Sequence, residues 1–292
     1  MRISRRSKAK LILLLGFIKL VRLPNLLIIV LTQYITRIFL IGPKENWWQH
    51  ITDMKLMLLS LSTVLVAAAG YIINDYYDIK IDTINKPKRV VVGRLLRRRK
   101  ALAAHIILNI IGVLIAFGIS LKIGAITFVS GFLLWLYSNQ LKRLPFTGNF
   151  VIASLTAVSV MVIYVYAPRN EFMVYIFAFF AFFISLIREI IKDMEDVKGD
   201  ATFGCQTLPI IWGIRRTKTL LYLLIASFLL VLFVLSIYLD HILITYFCFF
   251  ILLPVSWLTF KLIRADTKKD FAYLSSLCKV IMLSGVLSMV WV

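Results

Sequence analysis

Acidic residues are scarce in this chain, with 14 Asp and Glu against 34 Lys and Arg, and only 16% of all residues carry a charge. Soluble globular domains average about 25% charged and about 45–50% apolar residues. Here 61% of the residues are hydrophobic and the mean hydropathy is +0.89. Cysteine is also scarce, and the three cysteines show neither the number nor the spacing of a disulfide framework or a zinc site. These deficits argue against a water-soluble fold and for a membrane protein.

Apolar segments of membrane-spanning length recur along the whole chain. Only helices and closed barrels satisfy their backbone groups in lipid, and these segments lack the alternation of barrel strands. The sequence therefore predicts an all-α integral membrane protein, with residues 1–292 forming one membrane-embedded domain and residues 78–100 and 192–216 forming polar loops. The nine predicted spans are residues 23–40, 55–77, 101–120, 123–137, 150–167, 172–191, 219–239, 242–260 and 271–292.

The net charge of +20 is typical of nucleic-acid binding proteins, but its distribution favours another interpretation. We number the connections between successive predicted spans in chain order. Of the 34 basic residues, 26 lie in or beside the N-terminal segment and the even-numbered connections, whereas the odd-numbered connections hold three. Basic residues concentrate in cytoplasmic loops. We therefore expect a cytoplasmic N-terminus, a location in the cell membrane with both polar loops facing the cytoplasm, contact with membrane lipid, and no nucleic-acid partner. The sequence implies no protein partner.

Eight of the 14 acidic residues lie in two short stretches, which we call the first acidic motif (residues 74–82) and the second acidic motif (residues 189–200). Asp75, Asp78 and Asp82 of the first recur in the second as three aspartates, each shifted by 118 residues. Spacings of three and four place such residues on one side of a helix. Clustered carboxylates without histidine point to a hard cation, and Mg²⁺ is typically held by a few carboxylates together with substrate phosphates.

Residues four apart in the sequence are neighbours on a helix, so each motif is predicted to present a row of three polar side chains. The cation would lie beside these two rows. Basic side chains near these rows suit a diphosphate leaving group, and the surrounding membrane suits a hydrophobic tail. A polyprenyl diphosphate joins both properties. The rows are Asn74, Asp78, Asp82 and Lys192, Asp196, Asp200, and the basic side chains are Lys86, Lys88, Arg89, Lys142, Arg143, Arg188 and Lys192.

The motifs resemble the signature of UbiA-type membrane prenyltransferases. The resemblance rests on residues 74–82 (NDYYDIKID), 85–89 (NKPKR), 137–138 (YS) with 142–143 (KR), and 192–200 (KDMEDVKGD). It implies nine transmembrane helices around a central cavity and Mg²⁺-dependent transfer of a prenyl group from its diphosphate to a lipophilic acceptor.

The resemblance also implies a role for individual residues. Asn74, Asp78, Asp82, Asp196 and Asp200 would hold metal, and Arg89, Lys142, Arg143 and Lys192 would contact the diphosphate. Asp75, Asp193, Lys192 and Tyr137 would belong to the catalytic set. From their position near the motifs, Tyr71, Tyr76 and Tyr137 could stabilise a developing carbocation through their ring faces. From their position at the start of the first predicted span, Arg22 and Asn25 would face the acceptor, and an interfacial anchor stays open as the alternative for Arg22.

Within that family, residues 85–87, 188–193 and 207–210 are most similar to digeranylgeranylglyceryl phosphate synthases, which implies a geranylgeranyl donor and geranylgeranylglyceryl phosphate as acceptor. Val90, Val91 and Val92 stand where that group usually has a proline-rich turn containing serine. An aromatic quinone precursor therefore stays open as the acceptor. Acidic residues in membrane spans also mark ion paths, which keeps a cation-coupled transporter as an alternative.

Overall fold

The computed structural model describes residues 15–42, 46–87, 90–168, 172–238 and 242–291. The described residues are helical and contain no β-strand beyond one isolated bridge between Val92 and Leu96. The main helices are α1 (Leu23–Ile35), α2 (Trp47–Ile51), α3 (Met54–Tyr77), α4 (Ile79–Asn85), α5 (Arg98–Ile119), α6 (Leu121–Asn139), α7 (Thr147–Tyr166), α8 (Phe172–Thr202), α9 (Leu208–Tyr238), α10 (Ile242–Ile263) and α11 (Lys268–Ser288). A π-helical turn (Thr36–Leu40) follows α1, and a 3-10 turn (Leu141–Arg143) precedes α7.

The all-α prediction is confirmed, and a helix lies at each predicted apolar segment. Among the described residues, eight helices are long and apolar enough to cross a membrane, and the remaining predicted segment, 242–260, coincides with α10. The loop predicted over residues 192–216 is largely helical, because α8 continues to Thr202 and α9 begins at Leu208. Only residues 203–207 connect these two helices. The polar residues that ended the predicted span do not end the helix, since a helix can extend beyond the apolar layer.

The chain divides into two compact units, one formed by its residues up to Val30 with Met54–Gln140 and the other by Leu31–Asp53 with Leu141–Val292. In the first unit, α3 packs on α5 and α6. Ser62 donates a hydrogen bond of 2.8 Å to the carbonyl oxygen of Gly112. A Cβ atom at Gly112 would lie 2.8 Å from Val66, so the missing side chain permits this close helix contact.

The second unit is built around α8, which packs on α7, α9 and α11. Its core contains the fully buried rings of Phe177 and Phe228. A Cβ atom at Gly285 of α11 would lie 2.1 Å from the ring of Phe180, so α11 can approach α8 closely only with glycine at this position. This packing holds the helix that carries the second acidic motif.

Candidate functional site

The first acidic motif lies where α3 ends and α4 begins. The helix is interrupted at Asp78, whose backbone angles are φ −87° and ψ 4°. The row of Asn74, Asp78 and Asp82 nevertheless persists, since the amide of Asp78 donates to the Asn74 carbonyl at 2.9 Å and that of Asp82 to the Asp78 carbonyl at 2.8 Å. The side-chain amide of Asn74 also donates to Asp78 Oδ2 at 2.9 Å. The predicted row is therefore formed across two helices.

The carboxyl groups of this motif act on one another electrostatically. Burial, together with the negative charges of Asp78 and Asp75, raises the pKa of Asp82 to about 6. Lys86 and Arg22 lower this pKa, but their effect is smaller. A cation bound here would relieve the repulsion among these carboxylates.

Asp75 is held by a side chain from the start of α1. Arg22 Nη2 lies 2.9 Å from Asp75 Oδ1, and the Arg22 guanidinium carbon lies 4.8 Å from the centre of the Tyr71 ring. Asn25 donates to the Tyr71 hydroxyl at 3.2 Å. Arg22 has a φ of 53°, a conformation uncommon for residues other than glycine. Both predicted acceptor residues, Arg22 and Asn25, therefore contact α3 in this structure.

The connection after α4 is anchored by its apolar residues. Val91 and Val92 are buried in a cluster with Leu20 and Ile72, and Val92 is 1% exposed. Gly93 has a φ of 88°, which suits glycine, and its amide donates to the Leu96 carbonyl at 2.8 Å. Two of the three valines that depart from the expected turn, Val91 and Val92, thus fix the loop to the first unit. The predicted diphosphate ligand Arg89 and its neighbour Lys88 lie outside the described residues.

The second acidic motif lies on α8, an uninterrupted helix of 31 residues. Asn149 of α7 is 6% exposed, and its side-chain amide donates to Asp193 Oδ2 at 2.8 Å. Asp196 and Asp200 follow on the same helix and are half-buried. After α8 ends, the amide of Cys205 donates to the Asp200 carbonyl at 3.0 Å, so the chain that follows α8 lies against the end of the motif.

A buried carboxylate lies one turn before Asp193. Glu189 is 5% exposed and accepts hydrogen bonds from both Arg188 and Lys192, the latter at 3.2 Å from Lys192 Nζ to Glu189 Oε2. Arg188 Nε is also buried, and it makes no hydrogen bond within the described part of the chain. Two cations around one carboxylate leave a local excess of positive charge, which suits an anionic ligand.

The predicted ligands Lys142 and Arg143 form the 3-10 turn before α7. The carbonyl of Arg143 accepts a hydrogen bond of 2.8 Å from the amide of Gln206, so this turn lies beside the end of α8. Lys142 is half-buried and Arg143 is exposed. Both belong to the second unit together with Lys192, whereas Tyr137 belongs to the first unit, near the end of α6.

The donor atoms of both motifs suit Mg²⁺ better than a transition metal. Among the described residues, no three His, Cys, Asp or Glu side chains are arranged to hold a metal ion by themselves. Mg²⁺ usually takes only one or two protein carboxylates and completes its octahedral shell with water and substrate phosphate oxygens. Besides Asp75 in the first motif and Asp193 in the second, each motif offers two aspartates. Two carboxylates per motif fit this preference of Mg²⁺.

The structure adds one functional candidate that the sequence had not singled out, Asn149, and it shows the contacts of Tyr71 and Glu189. Asn149 and Tyr71 contact Asp193 and Arg22, respectively, and Glu189 joins Arg188 to Lys192. A polar Asn149 beside a predicted apolar span is a weak signal for such a role.

Comparison with known proteins gives consistent matches. Residues 30–278 match the model of the UbiA prenyltransferase family. The digeranylgeranylglyceryl phosphate synthase of Korarchaeum cryptofilum is 33% identical over 258 residues, which covers 86% of this chain and 90% of that protein. The protein of the same name from Methanosphaera stadtmanae is 35% identical over 175 residues, covering 60% of this chain and 64% of that protein. The chain thus aligns with slightly less than two thirds of this second relative.

Solved structures share the fold. A structure described as that of digeranylgeranylglyceryl phosphate synthase in membranes superposes with a TM-score of 0.71 and 25% identity, covering 96% of this chain and 98% of that chain. A UbiA homologue from Archaeoglobus fulgidus bound to GPP and Mg²⁺ gives a TM-score of 0.68 at 18% identity, covering 95% of this chain and 100% of that chain.

Proposed function

This chain belongs to the UbiA prenyltransferase family, and from that membership we propose that it transfers a geranylgeranyl group from its diphosphate to geranylgeranylglyceryl phosphate. In this reaction the acceptor hydroxyl oxygen bonds to C1 of the geranylgeranyl group while the bond from C1 to the diphosphate oxygen breaks, so that the products are the ether, diphosphate and the proton of the hydroxyl, which is released to solvent. The observation that carries the proposal is the similarity to a synthase of this activity over 86% of the chain.

The proposed cofactor is Mg²⁺, which supplies charge stabilisation at the diphosphate oxygens as the bond to C1 breaks. Asn74, Asp78 and Asp82 of the first motif would hold it, as would Asp196 and Asp200 of the second. The supporting observation is the oxygen-only donor set of each motif. In the first motif, burial and the negative charges of Asp78 and Asp75 raise the pKa of Asp82, and this repulsion between carboxylates supports a bound cation there.

Basic side chains of the chain would bind and orient the diphosphate. We assign Lys192, Lys142, Arg143 and Arg89 to this role, because charge-assisted hydrogen bonds to phosphate oxygens are strong. Lys192 is held by Glu189 at 3.2 Å, so its ammonium group is positioned before a ligand arrives. The ring of Tyr137 would face the positive charge that develops at C1.

Asp75 and Asp193 serve the metal motifs from fixed positions in this proposal. Arg22 holds Asp75 at 2.9 Å, and Asn149 holds Asp193 at 2.8 Å. Such contacts limit the rotamers of the two carboxylates and so reduce the reorganisation needed during the reaction.

The protein is an integral membrane protein by family and by its apolar helices. We further propose that α10 is a ninth membrane span, that the N-terminus is cytoplasmic, and that the reaction takes place at the cytoplasmic side of the cell membrane. The supporting observation is the concentration of 26 of the 34 basic residues in or beside the N-terminal segment and the even-numbered connections.

The test uses the purified full chain with geranylgeranyl diphosphate, geranylgeranylglyceryl phosphate and Mg²⁺, and identifies the product by mass. Asp78→Ala and Asp196→Ala should each abolish Mg²⁺-dependent release of diphosphate. Lys269→Ala is the control, because it removes an exposed charged side chain at the start of α11. Unchanged turnover in both motif variants would overturn the assignment. Product formed only with an aromatic acceptor would overturn the proposed acceptor alone.

A further inference from the structure

Four side chains at the end of α10 form a continuous stack, which we call the aromatic–basic stack. Lys261 Nζ lies 4.8 Å from the centre of the Trp257 ring, and Trp257 stacks on Phe260 with ring centres 5.8 Å apart and an interplanar angle of 29°. The guanidinium carbon of Arg264 lies 4.5 Å from the centre of the Phe260 ring. Positions 257, 260, 261 and 264 share one face of the helix, so the stack follows from helical spacing.

The stack is exposed and carries positive charge. Trp257 is 47% and Phe260 is 42% exposed. In the part of the chain that the structure describes, neither Lys261 nor Arg264 forms an ion pair. Trp257 Nε1 donates to the hydroxyl of Tyr273 on α11 at 3.4 Å, which ties the stack to the neighbouring helix. Exposed rings beside cations, at the end of an apolar helix, are typical of a membrane interface.

The acidic side chains of the adjoining connection are engaged elsewhere. Asp266 Oδ1 lies 3.1 Å from the nearly buried Lys218 Nζ of α9. Asp270 accepts from the amide and the hydroxyl of Thr267, at 2.9 and 2.8 Å, in the capping box that begins α11. These contacts leave Lys261 and Arg264 to act on a ligand, and they also fix the connection that carries Arg264.

We propose that the aromatic–basic stack binds the phosphate headgroup of an anionic phospholipid of the bilayer. Its two cations complement the negative charge of a phosphodiester, and its rings fit the boundary between headgroups and acyl chains. The cation–π contacts hold both cations in place before the lipid arrives, which reduces the entropy lost on binding. The proposal does not depend on the enzymatic activity proposed above.

The experiment follows quenching of Trp257 by lipids brominated near the headgroup. The full chain is reconstituted in vesicles of phosphatidylcholine with increasing fractions of either brominated phosphatidylglycerol or brominated phosphatidylcholine. The signal of Trp257 is the difference between the wild-type chain and Trp257→Phe. Since each cation near an anionic surface favours binding about fivefold, we expect phosphatidylglycerol to be preferred roughly 25-fold at this site.

The variant Lys261→Gln/Arg264→Gln should remove this preference, so that both brominated lipids quench Trp257 equally. Lys268→Gln/Lys269→Gln is the matched control, because it makes the same charge change at two exposed positions beyond the stack. Circular dichroism verifies that each variant is folded. Equal quenching by both lipids in the wild-type chain would overturn the proposal, as would an equal loss in the control variant. Loss of the preference when inorganic phosphate replaces chloride at the same ionic strength would show a site for free anions and would also overturn it.

Discussion

The hydrogen bond from Asn149 to Asp193 should stabilise the protein and also keep the second acidic motif functional. Asn149 is 6% exposed and lies 2.8 Å from Asp193 Oδ2. Loss of one partner of a buried hydrogen bond leaves the other desolvated and costs about 1–3 kcal/mol. Because Asp193 is half-buried, we expect the middle of this range. Asn149→Leu, which keeps the side-chain size, should therefore lower the free energy of unfolding by about 2 kcal/mol.

A double-mutant cycle separates the two roles of this contact. Asp193→Leu alone leaves the amide of Asn149 without its acceptor and should cost about 1–2 kcal/mol. Replacement of both partners by leucine should return the stability to within about 0.5 kcal/mol of the wild-type value, since neither polar group then stays desolvated. The double variant should nevertheless stay inactive, because it lacks the Asp193 carboxylate.

The assay is equilibrium unfolding in mixed detergent micelles, with prenyl transfer measured on the same preparations. The single variant Asn149→Leu should lose at least about tenfold in kcat/KM, because a free-energy change of about 1.4 kcal/mol in positioning corresponds to that factor. Stability of Asn149→Leu equal to that of the wild-type chain would refute the reasoning. So would a double variant that is destabilised by the sum of the two single effects.

Two further predictions concern metal binding and helix packing. The pKa of Asp82 is raised to about 6, and Mg²⁺ requires the carboxylate form. The Mg²⁺ affinity measured by calorimetry should therefore fall about tenfold from pH 7 to pH 5. The metal-free protein should instead gain stability over this interval, because the folded state binds the proton more tightly than the unfolded state. Asp82→Asn should abolish the pH dependence, and an unchanged slope in this variant would contradict the assignment. Gly285→Ala places Cβ 2.1 Å from the ring of Phe180, which is 3% exposed, and should cost about 1–3 kcal/mol of unfolding free energy. Gly124→Ala is the control, because its Cβ would meet the ring of Phe117 at 2.2 Å, but that ring is 42% exposed and can move. It should change the free energy of unfolding by less than about 1 kcal/mol. Equal losses of stability in the two variants would refute the argument.

The helices could be predicted because lipid leaves the backbone few alternatives. A chain segment in hydrocarbon must satisfy its own amides and carbonyls, so an apolar stretch of sufficient length predicts a helix. The short segment 123–137 illustrates this, since it is found within α6 (Leu121–Asn139). The same reasoning fails at the ends of spans. Residues 192–202 continue α8, because apolar character sets where a helix can cross the membrane but not where it ends.

The polar partners could not be predicted, since they depend on which helices become neighbours. Arg22 precedes Asp75 by 53 residues, and Asn149 precedes Asp193 by 44. No local spacing rule connects residues that far apart. From the sequence alone, Arg22 is predicted to face the acceptor and not Asp75. Only the packing of the N-terminal segment on α3 brings this guanidinium to Asp75 and over the ring of Tyr71.

The 118-residue repeat extends from the sequence to the contacts of its members. Asp75 and Asp193 occupy equivalent positions, and each is held by a side chain from another segment of its own unit, a guanidinium in one case and an amide in the other. The preceding equivalent pair differs, because Asn74 donates to Asp78 whereas Lys192 is paired with the buried Glu189. The proposed metal-binding row of the first motif therefore holds two carboxylates and no cation, whereas the row of the second motif holds two carboxylates and the ammonium group of Lys192. This asymmetry suits a division in which the first motif contributes mainly to the cation and the second also to the diphosphate.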